Sequence, residues 1–362
     1  MSRYRPWWLF LSVVVLSPDV ADRCCADGES RVLSLNNRAA EATAKKDYAK
    51  ALALLDEAIR SDPSLFVTYY NRAAVTYSYK GDLERTVSDC TKALELAGRP
   101  FPAALRLRAR AYRGKGEFKK AEADLRAAIE TEPTNHDLRV DLGQVFCYAE
   151  NWGKALAEFD GVCKADPRHY AALAWRGHAY CAQGEFKKAL KDLDDAIGLK
   201  PGEKLAFFFR ANAYFQTKDA GRALADCERV LSVEPDQDGF EIDWYARLHL
   251  TRGVIRAVRG DLRSAKADFN EAIRLAPDLP EHYLVRGKLL SKERNYENAV
   301  ADFSECIRLA SKMPEAYEMR AAAHEMRSAA YLALGDREKS AADEKTAKDL
   351  RKKVKEKKAD GK

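Results

Sequence analysis

The sequence predicts an all-α chain of stacked helix hairpins, a solenoid, and three observations carry the prediction. Pro133, Pro167, Pro201 and Pro235 stand 34 residues apart, and Pro63 and Pro277 close two further segments. The segment Gly116-Glu-Phe-Lys-Lys-Ala121 returns as Gly184-Glu-Phe-Lys-Lys-Ala189, 68 residues later. Small residues recur at two places in each period: Ala109, Gly143, Gly177, Ala211, Gly253 and Gly287, then Ala121, Ala155, Ala189, Ala223, Ala265 and Ala299. A fixed period of about 20–50 residues points to a repeat array, not to a conventional domain.

Each period reads as two helices. The first ends at a turn marked by Gly81, Gly116, Gly184, Gly260 or Gly335, since glycine takes the backbone conformation that closes a helix. The second opens on a polar residue, carries an apolar stripe as in 121–129 and 265–275, and stops before the proline. The small residues let the two helices approach, and Tyr112, Phe146, Tyr180 and Tyr214 are expected to fill the wedge between units. A second period supports the alignment. Arg108 and Asp124 are 16 apart, as are Arg176 and Asp192, Arg210 and Asp226, Arg252 and Asp268, Arg286 and Asp302, and Arg327 and Asp343. Arg72 and Asp89 are 17 apart, and the fourth unit has Leu142 and Glu158 instead. An Arg on one helix and an Asp on the next suit a hydrogen-bonded structural pair. A catalytic group would not be copied in nearly every unit, and the value of such a pair lies more in register than in net stability.

This pattern resembles the tetratricopeptide repeat family. The resemblance covers about residues 32–354 in nine units, beginning near Val32, Val67, Pro102, His136, Tyr170, Lys204, Ala246, Pro280 and Ala321. It implies a right-handed α-solenoid whose first helices line a concave groove. One extra residue near 70–75, an insertion at 238–245 and another before the ninth unit, where Glu318-Met-Arg and Glu325-Met-Arg look duplicated, depart from the pattern. The insertions are expected to lengthen first helices, with a break of the superhelix near residue 240 as the alternative. The expected organisation is a signal peptide at 1–26, repeats one to six at 32–237, repeats seven to nine at 238–354, and a basic tail at 345–362.

Composition agrees with a folded chain. Of 362 residues, 46% are hydrophobic and 33% charged, which argues against disorder. With 19 Gly and 12 Pro the chain is not collagen-like, and its eight Cys without CxxC argue against a disulfide scaffold or zinc ribbon. The net charge of +6 has one source: 345–362 hold nine basic and three acidic residues, and the rest is balanced. A nucleic-acid reader carries its positive charge on the folded surface, so no specific nucleic acid is expected. The tail reads as solvated and partly helical, with weak contact to an anionic membrane or polymer as the alternative. At the N-terminus Arg3 and Arg5 precede the apolar run 7–16, ended by Pro18 and Asp19. Ten apolar residues are too few to cross a bilayer, which takes about 20, but suit a secretory signal peptide cleaved after Ala26. Asp22 and Arg23 before Cys24 argue against a lipoprotein. The expectation is export, periplasmic or secreted; an uncleaved anchor and a cytosolic chain are the alternatives.

No catalytic signature is present: no GxxxxGK followed by Ser or Thr, no GxGxxG, no HExxH and no GxSxG. His136, His169, His178, His249, His282 and His324 lack ligand spacing and read as surface or groove residues. No enzyme, metal or cofactor is therefore expected. Cys90, Cys227 and Cys306 read as packed thiols, while Cys147, Cys163 and Cys181 lie in neighbouring helices and leave one disulfide open.

Function then rests on the groove. By the resemblance, its inward-facing positions carry Arg106, Arg110 and Arg113 on one helical face, Asn71 and Tyr79 before them, then Gln144 and Tyr148, His178, and Phe208, Asn212 and Phe215. A cationic stretch beside an aromatic and amide-rich one suits an extended peptide. A solvated arginine face and core packing of residues 207–209 form the competing reading. Family co-chaperones that grip an acidic C-terminus use Lys, Asn and Arg from three consecutive first helices. Here the matching places hold Asn36 and Ala40, Asn71 and Arg72, and Ala103 and Leu107, so that clamp is not expected. The absence of His-Pro-Asp excludes an appended J-domain. The expectation is a non-catalytic protein–protein scaffold. The alternatives are a chaperone-like factor gripping unfolded clients through Phe208 and Phe215, and an electrostatic tether through the tail.

Overall fold

The computed structural model describes residues 27–232, 239–313 and 316–360, and these form 18 helices and no strand. The targeting segment expected at 1–26 lies outside the described residues, as do 233–238 of the region around the first insertion. In chain order the helices are α1 (Asp27–Ala44), α2 (Tyr48–Ser61), α3 (Phe66–Lys80), α4 (Leu83–Ala97), α5 (Pro102–Gly114), α6 (Phe118–Thr131), α7 (His136–Tyr148), α8 (Trp152–Ala165), α9 (Tyr170–Ala182), α10 (Phe186–Leu199), α11 (Lys204–Gln216), α12 (Ala220–Leu231), α13 (Gly239–Val258), α14 (Leu262–Leu275), α15 (Pro280–Lys292), α16 (Tyr296–Ala310), α17 (Tyr317–Ala333) and α18 (Arg337–Asp360). The chain divides into two compact units, residues 1–206 and 207–362. In the first, the hairpins α1/α2 to α9/α10 stack in order; in the second, the hairpins α13/α14, α15/α16 and α17/α18 do the same. The regular first helices α5, α7, α9, α11 and α15 have 13 residues, whereas α13 has 20 and α17 has 17. The inserted residues are thus spent on extra helical turn. The basic tail continues α18 as far as Asp360, and Ala347 and Leu350 anchor it.

One turn chemistry closes every hairpin. The residue next to last before each second helix is left-handed: Lys46, Gly81, Gly116, Glu150, Gly184, Lys218, Gly260, Arg294 and Gly335. Glycine takes this conformation freely, while the four side-chain-bearing residues do so at roughly 1 kcal/mol each. The following Asp47, Asp82, Asn151, Asp219, Asp261 and Asn295 each accept a hydrogen bond from the backbone N–H three residues on, an N-cap that starts the second helix. The rings expected in the wedge sit at this turn. Lys120 lies over Tyr112, Lys154 over Phe146, Lys188 over Tyr180, Arg222 over Tyr214 and Lys339 over Tyr331, at 5.2–5.4 Å from ring centre. Each cation comes from the second helix, eight residues on, and covers the ring.

The two helices of a hairpin meet through two adjacent contacts. Arg108 donates from Nε and Nη2 to Asp124 at 2.8 and 2.7 Å, and Arg286 does the same to Asp302 at the same distances. Seven such pairs are present among the described residues, the others being Arg72–Asp89, Arg176–Asp192, Arg210–Asp226, Arg252–Asp268 and Arg327–Asp343. The third nitrogen often reaches back to the preceding second helix: Nη1 of Arg72 to Asp56, of Arg108 to Thr91, of Arg176 to Asp160, of Arg286 to Asn270 and of Arg327 to Ser304. One arginine therefore ties three helices. The next residue along each helix supplies the close approach. A Cβ on Gly143 would stand 2.4 Å from Phe159, and on Gly253 2.5 Å from Phe269. Where the first helix carries Ala109 or Ala211, the facing residue shrinks to Leu125 or Cys227. All are buried, and Ala109 with Leu125 fills about the space that Gly143 with Phe159 does.

Asp302→Ala is expected to destabilise the chain by about 3 kcal/mol, because it removes the carboxylate from the partly buried Arg286 and leaves it only Asn270. Replacing both residues, Arg286→Met with Asp302→Leu, is expected to cost far less. Urea unfolding of the two variants against wild type measures the difference, and equal losses would refute a pairing role.

Candidate functional site

In the first unit the first helices α5, α7 and α9 lie side by side, and their shared face gathers most of the charged and aromatic residues expected in the groove. Its centre is Asp141 of α7, 3% exposed. Arg106 donates from Nε to Asp141, and Arg110 donates from Nε and Nη2 to the same carboxylate at 3.1 and 3.2 Å. Burial pushes the Asp141 carboxyl up, but Arg110 and Arg106 together outweigh it and hold the group below the ordinary carboxylate value. Arg106 also lies 3.8 Å from Asp137, which sits 3.3 Å from Nε2 of His169. Nδ1 of His169 accepts from the backbone N–H of Ala172 and caps α9. That bond leaves Nε2 as the protonated nitrogen facing Asp137, so in the His169–Asp137–Arg106–Asp141–Arg110 series the two carboxylates face only donor groups. Arg113 donates to Gln144 and stands 5.1 Å over the Tyr148 ring. The aromatics follow: Tyr148 and Trp175 are 6.2 Å apart, Trp175 and His178 5.7 Å, and His178 and Trp152 5.8 Å. Tyr148 is 40% exposed and Trp175 is buried beneath it.

The remaining expected residues divide. Tyr79 is exposed and stacks on Tyr48 at 5.2 Å. Asn71 is fully buried: its Nδ2 donates to Asn36, whose own amide donates to Thr68, so this ladder joins α1 to α3. Asn71 directly precedes the hairpin arginine Arg72, the register position that Asp141 holds in the fourth unit, and like Asp141 it turns to the preceding first helix. In the second unit Phe208 is buried and stacks on Trp244 at 5.1 Å with the rings 12° from parallel. Asn212 donates back to the Phe208 carbonyl, and Phe215 is half-buried. Trp244 comes from the lengthened α13 and lies on Phe208, one of the two rings of the alternative client-binding reading. Cys147, Cys163 and Cys181 are free thiols, and burial pushes them up to about 12, 11 and 12. Among the described residues no group of three His, Cys, Asp or Glu is placed to hold a metal ion.

Asp141, Asp137, Trp152 and Trp175 were not expected at the site, and His169 was read only as a surface or groove residue. A signal for Asp141 does exist in the repeat alignment. The residue before the hairpin arginine is apolar in five units, Leu107, Trp175, Phe209, Val285 and Met326, and uncharged in two, Asn71 and Thr251; in the fourth unit it is Asp141. An acid in an apolar register position is a buried charge in need of partners.

The tetratricopeptide repeat family profiles match residues 67–99, 102–145, 140–204, 176–239 and 250–314. A solved tetratricopeptide repeat protein from Parabacteroides merdae superposes with a TM-score of 0.56 at 22% identity, covering 68% of this chain and 94% of that one. The Cut9–Hcn1 hetero-tetramer of the APC/C gives a TM-score of 0.56 at 15% identity, covering 89% of this chain and 75% of that one. At these identities the likeness is one of fold. The Protein STIP1 homolog of Dictyostelium discoideum is 30% identical over 113 residues, 31% of this chain and 20% of the relative, so the match spans about a fifth of that protein.

Because Asp141 is held below the ordinary carboxylate value, its contribution to stability is present above about pH 3.9 and is lost as pH falls through its folded value. Asp268 and Asp343 are lowered likewise, burial being outweighed by Arg and His partners, and act in the same direction. Thermal melts between neutral pH and acid are expected to show Asp141→Asn less stable at neutral pH and falling less steeply below pH 4 than wild type. Parallel profiles would refute the assignment.

Proposed function

Since the chain belongs to the tetratricopeptide repeat family, we propose that it is a non-catalytic scaffold whose first unit holds an extended, acidic segment of a partner protein along α5, α7 and α9. One observation carries the reading: Arg106 and Arg110 share the single carboxylate of Asp141 and remain 27% and 26% exposed at their side chains. Two guanidiniums converge on one buried carboxylate while keeping solvent-facing edges, and a partner carboxylate can add charge-assisted hydrogen bonds to them. Tyr148, open to solvent over Trp175, gives an apolar or aromatic residue of the same segment a surface to lie on. Arg3, Arg5 and the apolar run 7–16 support an exported scaffold, with the partner in a periplasmic or extracellular space.

Display of a random peptide library against the full chain is expected to enrich segments with Asp or Glu beside an aromatic or large apolar residue. Arg110→Gln, which leaves Asp141 paired with Arg106, and Tyr148→Ala are each expected to weaken a selected peptide about tenfold, or 1.4 kcal/mol, by titration calorimetry. Enrichment of uncharged peptides, or affinity unchanged in both variants, would sink the reading.

A further inference from the structure

The second unit has an edge that its groove chemistry does not use. Its hairpins α13/α14, α15/α16 and α17/α18 stack with successive first helices in contact, so their three turns follow one another along one side. Val258 ends α13 and is 80% exposed; Leu332 and Leu334, at the end of α17, are 58% and 41% exposed. Leaving an aliphatic side chain this open is unfavourable in water, and here three occur at the tips of two turns. The turn between them is Lys292-Glu293-Arg294.

The charges of this edge are sorted in one direction. Asp261 and Asp336 are N-caps turned to the backbone N–H groups of Ser264 and Lys339, and Asp336 also pairs with the Lys339 ammonium at 2.7 Å. Glu293 pairs with Lys266 at 3.0 Å. Arg259, Arg263, Lys292, Arg294 and Arg337 are exposed and make no ion pair among the described residues. By contrast Arg252, Arg286 and Arg327 of the same unit are each held by a carboxylate. Against the five cations stand Glu297 and Glu338 in the first turns of α16 and α18, so the edge keeps a positive excess beside its exposed aliphatic tips.

We propose that this edge is a peripheral docking surface for an anionic phospholipid bilayer, with Val258, Leu332 and Leu334 entering the headgroup boundary and Arg259, Arg294 and Arg337 lying among lipid phosphates and carboxylates. The aliphatic groups sit on separate turns divided by a charged one, and so lack the continuous apolar centre that a folded protein partner needs. A bilayer accepts separate side chains at one depth, with cations spread beside them. No helix among the described residues is long and apolar enough to cross a membrane, so the contact is with the surface. It is also distinct from the basic tail: α18 leaves the edge at Arg337, and Lys345 lies eight residues, about 12 Å, further along.

Hydrogen–deuterium exchange of the full chain tests this with vesicles of phosphatidylcholine alone and of phosphatidylcholine mixed with phosphatidylserine. Slowing of at least about threefold is expected in peptides covering 257–263, 291–296 and 331–338, with phosphatidylserine vesicles only, and fading as salt rises. The triple variant V258D/L332D/L334D, altered only at exposed positions, is expected to lose it, while K352Q/K353Q/K355Q in the tail keeps it. Protection confined to the tail or to 1–26, protection that survives the triple variant, or none at all would overturn the proposal. Equal protection by the two vesicle types would overturn its anionic requirement and with it the role of the arginines.

Discussion

Between the two helices of a hairpin, a guanidinium and a carboxylate meet through two parallel hydrogen bonds, and one residue further along a small residue lies against a large one. The rest of the architecture follows from this pair of contacts. A fork-to-fork bond has one geometry, so it fixes how far the first helix slides along the second. The neighbouring Gly143–Phe159 or Gly253–Phe269 contact then fixes how closely they approach. The spare nitrogen of Arg72, Arg176 or Arg286 reaches back to Asp56, Asp160 or Asn270 of the preceding hairpin, which turns a rule within one hairpin into a rule between hairpins. A partly buried ion pair contributes modestly to net stability, but a repeat array depends on identical interfaces, and identity of register is what this bond supplies.

That rule was legible because it is periodic. Residues 16 apart can be read without knowing what they touch, and the first helices begin at Pro102, His136, Tyr170, Lys204 and Pro280, where the period puts them. The turns were half legible. Glycine announces the left-handed residue at Gly116 or Gly184, whereas Glu150, Lys218 and Arg294 adopt it without a mark in the sequence. The hairpin imposes the conformation and absorbs its steric cost. The Tyr180–Lys188 contact and its equivalents recur every repeat and were equally readable, but residue types joined by a ring and a cation are less conspicuous than opposite charges.

The groove was harder to read, since a face assignment says where a side chain starts and not what it meets. Arg106 and Arg110 share a face by spacing, and nothing in α5 alone shows that both turn toward a carboxylate on α7. Asn71 precedes the repeat arginine and is drawn inside by Asn36 and Thr68. Phe208 is covered by Trp244, a residue carried by the extra length of α13. In each case the neighbour that decides the matter lies on another helix, in a position where the repeat varies.

The fourth hairpin shows why variation and site coincide. It has Leu142 and Glu158 where others have the arginine and aspartate. Its first helix carries instead an acid one position earlier, Asp141, which faces the third hairpin and takes Arg106 and Arg110 from it. The electrostatic tie has moved from within a hairpin to between two hairpins, and from the packed side to the shared face of α5 and α7. Packing between α7 and α8 then rests mainly on Gly143 against Phe159 and on buried Leu142, with a looser 3.8 Å pair of Arg139 and Glu158 in place of the two-bonded clamp. A repeat protein departs from its own consensus at some expense in consistency, and here the departure leaves two partly exposed guanidiniums held around one carboxylate. Rigid placement lowers the entropy lost when a ligand carboxylate is bound, so the exception to the rule that builds the scaffold is also the feature that equips it to recognise a partner.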